Sequence, residues 1–385
     1  MRTALFNLGF RPFFLFGSVY AVISIFVWVQ VYSGQSSHTL SFSSPMLWHA
    51  HEMIFGYAMA VITGFLLTAV RNWSGIKTIN GLPLLLLLLC WLIARVLSFF
   101  DFRFWQFIFD NLYLIGFIIA LTIPVVKAKH WKSFGIITKI LLILASNILF
   151  YLGAAGSFED GERIGLFSGL YLVISLVLML SRRVMPMFIQ NGVGYPVKLT
   201  NRVWLDRACL LLFLLFWIAD VSTPNGKIAT LLAGVLFILH SIRISGWYTS
   251  GIWKQPLLWS LYFAYGFLIL GFLLKTLAGI TNLSPNLAIH AFTYGGIGIM
   301  TLSMMSRISK GHTGRNIYEP SKAIFWMFVI LFSGAVIRVI FPMIDMSHYM
   351  LWIKWSHLHW LVAFGIFVFL YIPILISPRV DGKPG

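Results

Sequence analysis

Long apolar stretches separated by short polar loops run through the whole chain. A helix needs roughly 20 apolar residues to cross a hydrocarbon core of about 30 Å, and twelve stretches come close to that length. They cover residues 12–32, 48–70, 82–99, 106–126, 134–154, 165–184, 203–220, 228–244, 257–279, 285–306, 321–342 and 356–376. The pattern predicts an all-α polytopic membrane protein with twelve transmembrane helices, in a single domain over residues 1–385.

The composition is typical of a membrane protein. Hydrophobic residues make up 59% of the chain and charged residues 10%, whereas soluble domains are about 25% charged. The lipid bilayer is therefore the expected environment. The two cysteines, Cys90 and Cys209, are too few for a disulfide framework or a cysteine-based metal site. Any metal has to be bound by His, Met or carboxylate side chains.

The charged residues alternate between loops. The chain has 28 Lys and Arg residues against 11 Asp and Glu, and most of the basic residues fall in every second loop. Because Lys and Arg accumulate in cytoplasmic loops, this alternation predicts cytoplasmic N- and C-termini. The basic residues do not gather on one solvated face, which argues against nucleic acid as a partner. Nothing in the pattern indicates an oligomeric state.

Several ionisable side chains interrupt the predicted spans, and such residues normally mark a functional site in a membrane. On the predicted topology they share one layer near the outer face. The histidines and the glutamate lie at the starts of spans 2, 10 and 12, and the arginines lie near the ends of spans 3 and 11. They are His49, His51, Glu52, His290, His357, His359, Arg95 and Arg338.

Two of these histidines recur in one local pattern. His51 and His290 each begin a His-x4-Gly sequence, and each precedes an intramembrane arginine, Arg95 or Arg338, by one span. The two His–Arg pairs are eight spans apart. This spacing predicts three four-helix units, of which the middle one lacks the histidine.

Histidine and arginine together suit haem, because imidazoles ligate its iron and guanidinium groups pair with its propionates. We predict that His51 and His290 ligate one haem iron from opposite faces and that Arg95 and Arg338 contact the propionates. If only one histidine ligates, the iron keeps an open position. The alternatives are a packing role for the histidines and, for Arg95 and Arg338, extension to the outer headgroups or pairing with Glu52 or Asp110.

Histidine also suits copper. On a regular helix His49 projects about 200° from His51, so the two residues do not serve one metal. The same holds for His357 and His359. We predict His49, Glu52, His357 and His359 as candidate metal ligands, with a hydrogen bond to Glu52 as the alternative for His49.

Several motifs resemble those of the NnrS family, over nearly the whole chain. The specific ones are the WHAHE element in Trp48–Tyr57 and the GHTGR element at Gly311–Arg315. The others are Phe10–Phe14, Gly64–Ala69, His290–Thr293, Met304–Arg307 and the tail Pro378–Gly385.

The resemblance implies a twelve-span protein of the bacterial inner membrane that contains haem, which we expect to be b-type, and copper. It also implies a link to nitric oxide metabolism or nitrosative stress. One departure lies at the start of span 9, where Leu261 and Tyr262 stand in place of an expected Leu-His. This substitution puts an inner-side site in doubt.

The arrangement is also similar to the catalytic subunit of haem–copper oxidases, in which spans 2 and 10 ligate a haem. The oxidases take copper ligands from spans 6 and 7, and neither of those spans holds a histidine here. An oxidase-type copper centre is therefore not expected.

Three functions fit the sequence, and it leaves open whether the protein is an enzyme. The first is a haem protein that binds or relieves nitric oxide, as a ligand, at an outer-face metal site. The second is a transporter or metal exporter without haem, since transporters commonly contain internal repeats. The third is a haem-containing assembly or electron-relay partner of a nitric oxide or nitrite reductase.

Overall fold

The computed structural model describes residues 4–34, 42 and 44–383. Arg2, Pro384 and Gly385, which enter the predicted topology and the tail motif, lie outside the described residues. Within the described ranges the chain forms helices and loops without a β-strand. The predicted all-α architecture is therefore confirmed.

A long helix coincides with each predicted span. Numbered in chain order, the helices are α1 Phe10–Tyr32, α2 Pro45–Ser74, α3 Leu82–Leu97, α4 Arg103–Lys127, α5 Phe134–Ala154, α6 Gly161–Gly192, α7 Val203–Ser222, α8 Lys227–Ser245, α9 Pro256–Ile280, α10 Pro285–His312, α11 Lys322–Val339 and α12 Tyr349–Ile376. Ten helices of the described chain are long and apolar enough to cross a membrane. Of the other two, α3 has 16 residues and α7 carries Asp206, Arg207 and Asp220. The helices indicate a polytopic membrane protein, and the count of twelve crossings stays a prediction.

Two of the long helices change their winding directly after a histidine. Helix α2 is α-helical up to His51, π-helical over Glu52–Ala58 and α-helical again from there on. Helix α10 is α-helical up to His290 and π-helical over Ala291–Gly298. Single π-helical turns are rare and frequently occur at functional sites. The two repeat-related histidines therefore share a local backbone setting.

Contacts divide the chain into two compact units, which we describe separately. The first unit comprises Met1–Val173, Met305–Asn316 and Phe364–Gly385, and the second comprises Ile174–Met304 and Ile317–Ala363. The grouping into three four-helix units stays a prediction.

Glycines bring the helices of the first unit close together. A Cβ atom added at Gly64 of α2 would lie 3.0 Å from the Phe13 Cβ of α1. One added at Gly165 of α6 would lie 2.5 Å from the backbone nitrogen of Phe150 in α5. Small residues allow such close approach between membrane helices. The close packing brings polar side chains of neighbouring helices into direct contact.

In the second unit, α9 packs against α8 and α10. The approach to α10 is close, since a Cβ atom added at Gly271 would lie 2.5 Å from the Phe292 ring. Charged side chains of α9 and α7 are paired: Lys275 lies 2.8 Å from Asp220, and both are buried. Lys275 therefore has a structural role within this unit.

Candidate functional site

The first unit contains a group of four buried ionisable side chains, which we call the ion cluster. Its members are His51 and Glu52 of α2, Arg95 of α3 and Asp110 of α4. None of them is more than 2% exposed. Charged side chains are almost never buried to this extent unless they are paired.

Each charge in the ion cluster has an opposite partner. Arg95 forms ion pairs with both Glu52 and Asp110. The Nδ1 atom of His51 lies 2.9 Å from the Glu52 carboxylate, and its Nε2 atom lies 3.8 Å from that of Asp110. With His51 protonated, two cations balance two carboxylates. Such a pairing is the condition for holding charges away from water.

Neutral side chains complete the hydrogen bonding around the two carboxylates. Tyr20 donates its hydroxyl to Glu52, and Gln106 donates its amide to the same carboxylate over 3.0 Å. Tyr151 donates to Asp110 over 2.7 Å. All four carboxylate oxygens of the cluster therefore accept a hydrogen bond.

Both ring nitrogens of His51 have hydrogen-bond partners. Its Nδ1 faces the Glu52 carboxylate, and its Nε2 lies 3.0 Å from the amide oxygen of Asn147. That amide is oriented by its own N–H, which donates to Asn111 over 3.4 Å. The Phe150 ring stacks on His51 with 4.8 Å between ring centroids.

The ion cluster does not fit the predicted haem contacts in this arrangement. Both ring nitrogens of His51 take part in hydrogen bonds, so a haem iron would have to replace one of these partners. Arg95 has two carboxylate partners and needs no propionate, which is the alternative that the sequence left open. The carboxylate of Glu52 accepts bonds on both oxygens and is likewise not available as a metal ligand.

The second unit brings together His290 of α10 and Arg338 of α11. The Nδ1 atom of His290 lies 2.7 Å from the backbone oxygen of Asn286, so Nδ1 carries the proton and Nε2 carries the lone pair. Arg338 donates to that Nε2 atom over 3.0 Å. Arg338 also lies 3.2 Å from the hydroxyl of Tyr349. We call these residues the His–Arg cluster.

Arg338 is a buried cation without a carboxylate. It is 6% exposed, and no Asp or Glu of the described chain forms an ion pair with it. Its buried Nε atom has no hydrogen-bond partner in the described residues. A buried guanidinium normally pairs with an anion. The His–Arg cluster therefore provides a place for an anionic group beside a histidine lone pair.

His359 of α12 lies next to the His–Arg cluster. A Cβ atom added at Gly334, one turn before Arg338 on α11, would lie 2.7 Å from the Cβ of His359 and would overlap the hydroxyl of Tyr294. His359 shares the bonding pattern of His290, because its Nδ1 lies 2.7 Å from the backbone oxygen of Trp355. Its Nδ1 atom therefore carries a proton.

The remaining predicted metal ligands lie in separate surroundings. The ring of His49 stacks on Trp28 of α1, with 4.4 Å between ring centroids and 12° between the planes. His357 is 5% exposed and lies two positions from His359, on another side of α12. The described residues contain no group of three or more His, Cys, Asp or Glu side chains that is placed to hold a metal ion.

Sequence reasoning missed several polar partners of these clusters. Gln106 lies one turn before Asp110 on α4, and Asn147 is the amide of α5 that faces His51. A polar pair at i and i+4 in an apolar helix is a signal that could have identified Gln106. Tyr294 donates to the backbone of Ser356 over 2.7 Å. It lies four residues after His290, so the same i, i+4 signal could have identified it.

Comparison with known proteins gives a family match. A search of curated proteins returned no match. The family model described as NnrS protein matches residues 4–379 of the 385-residue chain. Because the match covers almost the entire length, helices and loops included, this chain belongs to the NnrS family.

Proposed function

We propose that this protein is an inner-membrane haem protein that binds nitric oxide at the His–Arg cluster of its second unit. The observation that carries the proposal is Arg338, a buried cation that forms no ion pair with any described Asp or Glu and donates to the Nε2 atom of His290. The NnrS family implies a role in nitric oxide metabolism. A haem would provide the anionic propionate and the metal that these two side chains lack.

His290 is oriented in the way that metal-ligating histidines commonly are. Such histidines donate their second ring N–H to a carbonyl or carboxylate, which fixes the tautomer and the ring orientation. His290 makes this donation to the backbone of Asn286 over 2.7 Å. We assign His290 as the iron ligand and Arg338 as the propionate partner.

We assign one histidine ligand from the chain, since His51 is held in the ion cluster by hydrogen bonds at both ring nitrogens, whereas the Nε2 atom of His290 accepts from Arg338, which would release it on turning to the propionate. A haem held by this one histidine would keep an open coordination position for nitric oxide. Of the predicted copper ligands, His359 is the best placed, because it packs against Gly334, one turn before Arg338. The predicted topology puts this site near the outer face.

The test is the visible spectrum of the full-length protein purified from a membrane. We expect a Soret band that shifts on addition of nitric oxide. His290→Ala and Arg338→Leu should each lower haem occupancy at least several-fold. Lys354→Leu is the matched control, because Lys354 is an exposed cation on α12, and it should keep the wild-type spectrum. Loss of haem from His51→Ala with full retention in His290→Ala would reject the assignment.

One observation favours a second function, that of a haem-free transporter. Ionisable residues inside membrane helices are typical of ion and proton pathways, and the ion cluster of the first unit holds four of them. The same purification separates the two functions. A wild-type protein without a Soret band, whether or not it carries copper by metal analysis, would favour the transporter.

A further inference from the structure

Basic side chains converge in the first unit, where the start of α1 meets the ends of α10 and α12. Arg11 of α1 donates to the backbone oxygens of Leu375 and Ser377 over 2.8 and 2.7 Å. Arg379 donates to the backbone oxygen of His312 over 2.9 Å. These bonds hold the first turn of α1 next to the C-terminal end of α12, and the residues after α12 next to the C-terminal end of α10.

The GHTGR segment lies in the same place. The backbone N–H of Val380 donates to the oxygen of Thr313 over 3.2 Å. Gly314 has a positive φ of 75°, and a Cβ atom there would lie 3.1 Å from the carboxyl carbon of Asp381. The turn therefore presents the next residue, Arg315, to the group formed by Arg11 and Arg379.

Positive charge in this place exceeds negative charge. The charges of Arg315 and Arg379 both act on Arg11, and that of Arg315 acts on Lys310. The carboxylate that faces them is Asp381, which pairs with Arg379 over 2.6 Å. The two helix C-termini offset part of the excess, because Arg11 and Arg379 donate to their last carbonyls.

Arg315 is not compensated in this way. Its Nη1 atom is buried and has no hydrogen-bond partner within the described part of the chain. Burial lowers the pKa of its guanidinium, which agrees with a cation that lacks a counter-charge. A buried donor without a partner marks a position that an acceptor would fill.

We propose that Arg11, Arg315 and Arg379 form a binding site for an oxyanion of the phosphate class. Arginine is the side chain best suited to such anions, since its planar fork of N–H donors matches two oxygens at once. The source is either the headgroup of an anionic phospholipid or a free anion such as inorganic phosphate. The site belongs to the first unit and shares no residue with the His–Arg cluster.

The test uses full-length protein in detergent and follows its thermal unfolding midpoint. One arm adds inorganic phosphate against chloride at equal ionic strength, and the other adds phosphatidylglycerol against phosphatidylcholine. At saturating ligand we expect the wild-type midpoint to rise by roughly 3 °C in at least one arm. A rise in the lipid arm alone identifies a headgroup, and a rise in the phosphate arm alone identifies a free anion.

Arg315→Gln is the informative variant, because it removes the uncompensated guanidinium and leaves the bonds of Arg11 and Arg379 in place. It should unfold near the wild-type midpoint without ligand and lose at least half of the rise. Lys322→Gln, an exposed residue at the start of α11, is the control and should keep the full rise. No rise in wild-type protein in either arm, or an equal rise in Arg315→Gln, would overturn the proposal.

Discussion

Trp91 donates its indole N–H to the backbone oxygen of Gly56 over 3.0 Å. Gly56 lies within the π-helical segment of α2, and Trp91 is fully buried on α3. One turn further along α3, Arg95 reaches the ion cluster. This hydrogen bond therefore fixes the height of α3 against α2 directly beside the buried charges.

We predict that Gly56→Ala destabilises the protein. A Cβ atom at this position would lie 2.5 Å from the Nη1 atom of Arg95 and 3.2 Å from the Tyr20 ring, so the guanidinium has to move away from Glu52. Overpacking of this kind costs about 1–3 kcal/mol. The measurement is the thermal unfolding midpoint in detergent.

Gly365→Ala is the matched control for that substitution. Gly365 lies on α12 with no atom within 4 Å of an added Cβ. Alanine favours a helix over glycine by about 1 kcal/mol, so this variant should unfold at the wild-type temperature or slightly above it. Equal losses in both variants would show that the contact with Arg95 is not the cause.

A second prediction concerns the charge balance of the ion cluster. Glu52→Gln leaves His51 and Arg95 with one carboxylate between them, and removal of one member of a buried ion pair costs about 3–5 kcal/mol. Asp101→Asn should cost at most about 1 kcal/mol, because Asp101 pairs with Arg103 on the exposed surface. The measurement is the free energy of unfolding of the two variants, obtained from denaturant titration.

The double variant Glu52→Gln with His51→Leu tests whether balance itself is what stabilises the cluster. It removes both partners of the His51–Glu52 contact, and Arg95 and Asp110 remain as a neutral pair. We expect its loss of unfolding free energy to be smaller than the sum of the losses of the two single variants. Strict additivity would mean that His51 and Glu52 do not stabilise each other.

The third prediction concerns how the stability of the protein depends on pH through Asp345, which lies between α11 and α12. Hydrogen bonds from Ser347 and His348 lower the pKa of Asp345 to about 2. An aspartate with a depressed pKa in the folded state stabilises the protein at neutral pH, and this contribution declines as the pH falls from about 4 toward the folded value. The unfolding midpoints of wild type and Asp345→Asn should therefore converge between about pH 4 and pH 2. A gap that stays constant over this range would contradict the shift.

The fourth prediction is the topology. Basic residues concentrate in alternate loops, so a reporter fused after Lys383 should behave as a cytoplasmic one, and the same reporter inserted after Asn282, between α9 and α10, should behave as an external one. Reporter activity with the opposite pattern would invert the orientation and move the His–Arg cluster to the inner face.

Much of the fold follows from the sequence because helices in a membrane must be apolar over most of their length. Helix α2 begins at Pro45, close to the predicted span 48–70, and the Ser44 side chain accepts from the backbone N–H of Leu47 over 3.2 Å. Helix ends were less accurate. The predicted span 165–184 stops near Arg182 and Arg183, whereas α6 continues to Gly192 because polar residues also continue a helix beyond the hydrocarbon.

The candidate sites could be predicted only in part. Hydropathy identified His51, Arg95, His290 and Arg338 as polar residues in apolar helices, and the structure gives each of them polar partners in its own unit. Which residue satisfies which charge depends on contacts between distant segments. Asn147 lies 96 residues from His51 in the sequence, and no local pattern relates the two.

The π-helical segments also determine the rotation about the helix axis of the residues that precede them in the same helix. A π-helical turn holds about one residue more than an α-helical turn, and one residue corresponds to about 100° of rotation about the axis. Without this extra residue, the tip of α2 that carries His51 would be turned away from Asn147 and Asp110. A single-residue deletion within Glu52–Ala58 would therefore rotate His51 about the helix axis, away from its partners. The side chains of the ion cluster outside this segment would be unchanged.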